Sequence, residues 1–462
     1  YTVSAANYVT ANGSFTASAD AVIEVELTYA GEAWDGTTVT QPAEENGVYM
    51  ISDAAEFEWF AQFVNAGNST ANAVLTQNIN FNGKARTAFG IYDYADSNSG
   101  YNGTFDGRGF AVTGIAGEDG ILDCIGPDGV VKNIIANVNI ASDANIGGIA
   151  NTSKGLVENC LVAGSVSTSA NYCSSAGIVG RAMTGNTVRG CVNNAAISNT
   201  TNSYASTLSL GGIVGYTYGT VENCYNTGSL SAKQDRTTNK GIGGIAGQNS
   251  GTIIGCTFSG SVAGETTVGG IAGYNDSTGI ITDCRVTGSV TGKTKIGGIA
   301  GENAGSVFAS ENGADINTVP MEFSASTVVD SVLSVRSTAE LTEITDTVKD
   351  IGGIAGYSTG AIRDCKNTGT VGYIHIGYNI GGIVGRHGGT VRACENTGVV
   401  YGRRNTGGIV GEMEPYTAWV VSEDALTSLR DALNTLQERT NTLLDDVKTQ
   451  SNTLSEEMKT SI

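Results

Sequence analysis

Short apolar pieces alternate with glycine and polar residues through most of this chain, and they do so in a repeating order. The unit is clearest at Ile380-Gly-Gly-Ile-Val-Gly385, followed by Gly389-Thr-Val-Arg-Ala-Cys394 and then Asn396-Thr-Gly398. It recurs as Ile351-Gly-Gly-Ile-Ala-Gly356 with Gly360, Ile362, Cys365 and Gly369, and Gly297, Gly269, Gly243, Gly211, Ala176 and Gly147 open earlier copies. A period of about 26–33 residues admits several repeat architectures. Helical repeats need long amphipathic segments, whereas short Ile/Val runs punctuated by Gly, Asn and Thr fit strands and tight turns. The pattern predicts an all-β fold, a parallel β-helix (solenoid) with one coil per unit. Roughly three strands per coil are expected, around Gly-Gly-Ile-Val, around Thr-Val-x-x-Cys and around the Ser-Val or Val-Val that closes the unit. Coils stacked at about 4.8 Å pair every strand above and below and enclose a narrow apolar column.

Aligned on their glycines, successive units place Ile134, Cys160, Cys191, Cys224, Cys256, Cys284, Ser310, Cys365 and Cys394 at one position. An isoleucine and a serine in the same slot indicate a small or apolar side chain facing inward, since buried free cysteine behaves as a small hydrophobe. A stack of thiols is expected. Neighbouring parallel side chains keep their Cβ atoms near the coil spacing, whereas a disulfide wants them at about 3.8 Å, and the nine cysteines are odd in number. No Cys-x-x-Cys pair exists, and His375 and His387 lie outside any cysteine cluster, so neither a metal nor another cofactor is expected at the slot.

Outside the repeat, the pattern changes at both ends. Residues 1–30 alternate apolar and polar positions, as in Ala21-Val-Ile-Glu-Val-Glu-Leu27, and resemble the last strands of a small β-sandwich of the carboxypeptidase-regulatory or PEGA-like kind, truncated at its front. Residues 31–73 are expected to form a cap. Asp53 and Glu56 start a helix there, Phe57, Phe60, Ala61 and Val64 share one face of it, and Gly67 stops it, so a greasy helix would plug the open first coil. The solenoid is expected over 74–412, interrupted by an insertion at 311–350 whose Pro320 favours an extended path. Another loop, 198–209, is mostly polar. Residues 413–462 predict a long helix with an apolar seam through Leu426, Leu429, Leu433, Leu436, Leu444, Val447, Leu454 and Met458. Its eleven-residue interval from Leu433 to Leu444 relaxes left-handed supercoiling. Two readings follow: a helix that covers the last coil, or a coiled coil through which the protein self-associates.

Net charge −20 disfavours nucleic acid and anionic membranes as partners, because phosphate binding wants the opposite sign. No apolar run approaches the roughly 20 residues needed to span a bilayer, so direct membrane insertion is not expected. No signal peptide opens the sequence, which, starting at Tyr1, is expected to begin inside a longer protein.

The opening sequence Gly103-Thr-Phe-Asp-Gly107, the helix carrying Trp59 and the units of Gly-Gly-Ile-[Val/Ala]-Gly resemble the GLUG-motif repeat family over roughly Trp34 to Glu412. Those repeats occur in bacterial cell-surface proteins and in non-catalytic parts of streptococcal immunoglobulin-A-specific metallopeptidases. The resemblance implies a right-handed parallel β-helix exported by a bacterium to its surface.

Catalytic signatures are weak. His-Glu-x-x-His, the zinc-peptidase motif, is missing from the chain. Gly356-Tyr-Ser-Thr-Gly360 spells a nucleophile elbow, but that motif needs a strand turning into a helix and here a repeat strand turns into the next. Charged positions alternate in sign on successive coils, with Glu158, Arg189 and Glu222 before the slot and Arg285, Glu311, Lys366 and Glu395 after it, which describes ion-pair ladders. Asp93, Asp96 and Asn98 stand close enough to suggest a calcium loop, though such residues also populate ordinary turns. A binding surface is better motivated. After the Gly-Gly-Ile-[Val/Ala]-Gly element come Asn151, Arg181, Tyr216, Gln248, Tyr274, Glu302, Tyr357 and Arg386, so Tyr216, Tyr274 and Tyr357 would recur on alternate coils, about 10 Å apart, where sugar rings stack. The expected function is a non-enzymatic extracellular bacterial surface module, an adhesin-like spacer presenting a face to a host protein or glycan. The alternatives are a polysaccharide-acting β-helix enzyme, which would need a convergent acid pair, and an accessory segment of a larger secreted peptidase.

Overall fold

The computed structural model describes residues 2–3, 11–12, 31–169, 173–200, 208–232, 241–318, 348–414 and 423–460. The chain divides into two units, Tyr1–Glu414 and Pro415–Ile462. Four long sheets carry the first unit. In one coil, Leu208–Gly211 lies in sheet A, Val214–Thr217 in sheet B, Thr220–Glu222 in sheet C, and Tyr225–Asn226 with Ser229–Ala232 in sheet D. The sheets have nine, ten, thirteen and fifteen strands respectively, each coil pairing in parallel with the next. The chain is a parallel β-helix.

The expected single strand around Gly-Gly-Ile-Val is in fact two. The Gly-Gly-Ile segment is a bend, with Gly211 ending sheet A and Val214 starting sheet B. A Cβ on Gly212 would fall 2.0 Å from Asn226 Nδ2 and 2.2 Å from the carbonyl oxygen of Gly244, so nothing larger fits. The glycine after Ile-[Val/Ala] has a different reason: a Cβ on Gly273 would come 2.3 Å from the Ile242 backbone nitrogen in sheet A of the preceding coil. Sheets A and B therefore meet backbone to backbone.

A second corner joins sheets C and D one residue before the cysteine slot. Asn133, Asn159, Asn223, Asp283, Ala309, Asp364 and Ala393 all have φ between 43° and 56° there, and Gly190 and Gly255 fill the same place at 60° and 64°. Gly, Asn and Asp tolerate this left-handed conformation; alanine adopts it against a steric cost.

Between the sheets the column is built from files of one side chain per coil. The bend isoleucines Ile149, Ile178, Ile213, Ile245, Ile271, Ile299, Ile354 and Ile383 are fully buried. The slot residues are buried too, from Ile134 to Cys365, with Cys394 half-buried in the last coil, and all nine cysteines are free thiols. Polar files run beside them. Asn193 donates to Asn226 at 2.8 Å, Asn312 to Asn367 at 2.7 Å and Asn367 to Asn396 at 2.8 Å, each amide also serving the backbone of its own turn. These ladders satisfy amides that would be costly if buried alone.

At the N-terminal end, Asn46 and Gly47 turn an antiparallel hairpin, Ala43–Glu45 with Val48–Ile51, whose second strand pairs in parallel with Asn72–Leu75. Helix α1 (Ala54–Asn65) follows. The Asp53 carboxylate accepts the Glu56 amide at 2.9 Å, and Glu56 caps back to Ser52. Phe57 and Phe60 pack in a ring cluster with Phe81, Phe89, Tyr101 and Phe105. This aromatic plug covers the first coils, because an apolar column needs a lid where stacking begins.

The interruption is shorter than 311–350. Glu311–Asn312 pairs in sheet D, Ile316 bridges Val290 and Val371, and Lys349–Gly352 pairs in sheet A. Buried Ala314 and Ile316 keep the column continuous there. Residues 319–347, most of the 198–209 loop, and the sandwich-like leader apart from Thr2–Val3 paired with Ala11–Asn12 lie outside the described residues. The second unit holds helix α2 (Glu423–Thr460), in which Leu433, Leu436, Leu444 and Val447 are each more than half exposed. No described helix is long and apolar enough to cross a membrane.

Candidate binding face

Sheet B carries one row in which Arg181, Tyr216, Tyr274, Glu302, Tyr357, Arg386 and Glu412 are partly open to solvent while Thr152 and Gln248 are buried. Register places Thr152, Arg181, Tyr216, Gln248, Tyr274, Glu302, Tyr357, Arg386 and Glu412 side by side on successive coils. The register partner of Arg181 is Thr152, not Asn151; Thr152 is buried, and buried Cys124 precedes it in the row. Asn151 takes the place of the glycine that elsewhere abuts sheet A, and it fits because sheet A starts only at Ile146 in that same coil. Its side chain bonds Asp119 instead.

Tyr216, Tyr274 and Tyr357 occupy alternate coils, all half-buried, but their surroundings differ. Tyr357 is enclosed by its own protein. Arg386 lies 4.3 Å and Lys295 5.2 Å from its ring centroid, and its hydroxyl donates to Glu414 at 3.3 Å. Lys295 bonds Glu302 at 2.6 Å, and Arg386 reaches buried Asp350 at 3.7 Å and Glu414 at 3.5 Å. Each of these acids is matched by a cation, so the cluster is an ion-pair network around a ring. Tyr216 stacks on Tyr218 at 4.3 Å, and its hydroxyl meets Ser250 Oγ at 3.2 Å. Burial pushes the Tyr216 hydroxyl up to about 12, keeping it a neutral donor, and shifts Tyr274 and Tyr357 the same way.

The 93–99 loop does not converge its acidic side chains. Asp93 accepts the Ala95 amide and Asp96 the Asn98 amide, both at 2.8 Å, as in ordinary turns. A cation is present at the loop nonetheless: the Lys154 ammonium donates to the carbonyls of Ser97 at 2.9 Å, Ser99 at 3.2 Å and Asp96 at 3.3 Å, and to Ser99 Oγ at 3.0 Å. It also lies 5.2 Å from the centroid of Tyr92. No cluster of three metal-binding side chains occurs among the described residues.

Ion-pair ladders run along the neighbouring sheets. Lys132 meets Asp106, Arg189 meets Glu158 and Glu222, Arg285 meets Glu311, and Lys366 meets Glu395. Ser358 of the elbow-like motif is fully buried and accepts from Asn303, so no nucleophile faces solvent there. The fully buried Cys160 and Cys191 have thiols pushed well up by desolvation. In the structure the Cys394 thiol donates to the carbonyls of Ile362 and Arg392, at 3.8 and 3.4 Å.

Sequence reasoning placed Arg181 in the row but missed Tyr218, Tyr92 and Tyr94. Tyr218 follows Tyr216 by two residues, a signal visible in the sequence. Tyr92 and Tyr94 pair at 4.8 Å on a loop that only the coil stack brings to this face, where the Arg181 charge acts on the Tyr92 hydroxyl.

This architecture defines a repeat β-solenoid that displays side chains in rows. Residues 206–231, 264–291 and 349–372 match the GLUG motif, and each match follows a coil from sheet A into sheet D. The parallel β-helix thus carries GLUG motifs in at least three of its coils. A crystal structure of a protein proposed to be an immunoglobulin A1 protease, from Bacteroides ovatus, is similar to 52% of this chain over 75% of its own, at 23% identity and a TM-score of 0.39. Among curated proteins, none matches this chain.

Proposed function

We propose that this chain is a non-enzymatic, extracellular module of a bacterial surface protein, a spacer that presents this row of sheet B to a host protein or glycan. The observation that carries the reading is the row itself, tyrosines and charged groups held at fixed spacing by paired backbone. Rigid strands position such groups with little entropy left to lose on binding. The matching of Glu302, Glu414 and Asp350 by Lys295 and Arg386 supports display over catalysis, since a hydrolytic acid pair keeps one group free to move a proton. In the second unit, the exposed seam of α2 belongs to self-association of the protein.

The test is binding of the full chain to a glycan array and a panel of host surface proteins, repeated with Tyr216, Tyr274 and Tyr357 all replaced by alanine. Loss of a specific signal in the triple variant, with the thermal transition retained, is expected. No signal on either panel refutes the reading.

A further inference from the structure

We infer that the N-terminal part of the sheet B face, centred on Arg181, is a subsite for a glycan whose sugar ring carries a carboxylate. This deepens the display reading and rests on it. The upper part of the row is already occupied, since the Tyr357 ring lies between two cations of its own chain. The lower part is not. Among the described residues the Arg181 guanidinium makes no ion pair, and its Nε is buried without a hydrogen-bond partner. By contrast, Arg189, Arg285 and Arg386 each meet a carboxylate of their own chain.

Aromatic pairs stand on both sides of this cation. Tyr216, its register partner on the next coil, stacks with Tyr218, and both rings are at least partly open to solvent. On the other side Tyr92 pairs with Tyr94, which is 81% exposed, and Lys154 fixes the loop that carries them. A guanidinium offers paired N–H donors that match a carboxylate, and tyrosine rings receive the apolar face of a pyranose while their hydroxyls bond its edge. A carboxylated sugar supplies both halves of that complement. The acid could belong to a terminal sialic acid or to a uronic acid within a polysaccharide, and the probes separate the two.

The full chain is titrated with sialyllactose against lactose, and with oligogalacturonate against its methyl ester. Expected is binding of one acidic probe with at least tenfold preference over its neutral counterpart, weakening with salt. Arg181→Gln should cost tenfold or more, Arg181→Lys less, and Tyr218→Ala severalfold. Arg189→Gln, which removes the same charge from an exposed ion pair on sheet C, should leave affinity unchanged. The acidic probe that binds identifies the source. Equal affinity for acidic and neutral probes, or acidic binding indifferent to Arg181→Gln, overturns the inference while the display reading stands. No binding of any of the four probes also overturns it, and the host-protein panel then decides the display reading separately.

Discussion

His387 ends a file of inward side chains in which Asn249 donates to Asn275, Asn275 to Asn303, both at 2.8 Å, and Asn303 to Ser358 at 3.1 Å. Its ring is buried, and among the described residues neither nitrogen makes a hydrogen bond of good geometry, although the backbone of Gly389 and Ser358 lies close enough to act on it. Burial lowers its pKa from the ordinary value near 6.5. The unfolded chain therefore takes up the proton first, so stability falls as pH drops below about 6.5 and stops falling only below the folded-state value. His387→Asn, which carries a side chain that can extend the amide file without titrating, is expected to flatten the loss of stability between neutral and mildly acidic pH. Urea denaturation at several pH values checks this; identical pH slopes for parent and variant would refute it. The sequence showed a histidine outside any cysteine cluster, but nothing in it showed that the ring would lie inside the column, because Arg386 and His387 are adjacent and only strand direction separates outside from inside.

At the scale of elements, the corners decide where strands end. The place before the cysteine slot is written plainly as Asn, Gly, Asp or Ala in successive units, yet its meaning is a left-handed backbone that hydrophobic patterning does not reveal. Ala309, at φ 43°, and Ala393, at φ 51°, are the misfits among them. Ala309→Gly is expected to stabilise the protein by roughly 0.5–1 kcal/mol, the relieved clash exceeding the entropy that glycine adds to the unfolded chain. Asn159→Ala, the converse change at φ 53°, should destabilise by about 1 kcal/mol. Chemical denaturation of both variants tests the pair, and equal signs would contradict this account of the corner. Helix α1 was legible to its capping residues because Asp53, Glu56 and the aromatic face are local signals. The division of Gly-Gly-Ile-Val between two sheets was not, since it depends on contacts with the coils above and below.

For the stack as a whole, each coil is supported by its neighbours, so position along the column sets the cost of a defect. Ile271 is fully buried with a coil on either side, whereas its equivalent Ile409 in the last coil is 40% exposed. Ile271→Ala is expected to cost about 2–5 kcal/mol and to raise amide exchange in the coils on both sides of it. Ile409→Ala should cost under about 1 kcal/mol and loosen only the final coil. Hydrogen exchange read by mass spectrometry separates these outcomes; equal effects at both places would argue that the column does not behave as a file of nearest neighbours.

The sequence by itself determined the repeat, the inward cysteine slot, the alternating charges and the absence of a zinc-peptidase motif, because each is carried by residue type at a fixed interval. Only the tertiary structure decided that the coil has four sheets, that Thr152 and not Asn151 lies beside Arg181, and that the Tyr357 ring is enclosed while Arg181 has no ion pair among the described residues. Those facts depend on which side chains from different coils meet, and a period along the chain fixes the height of each residue in the stack without fixing what lies beside it.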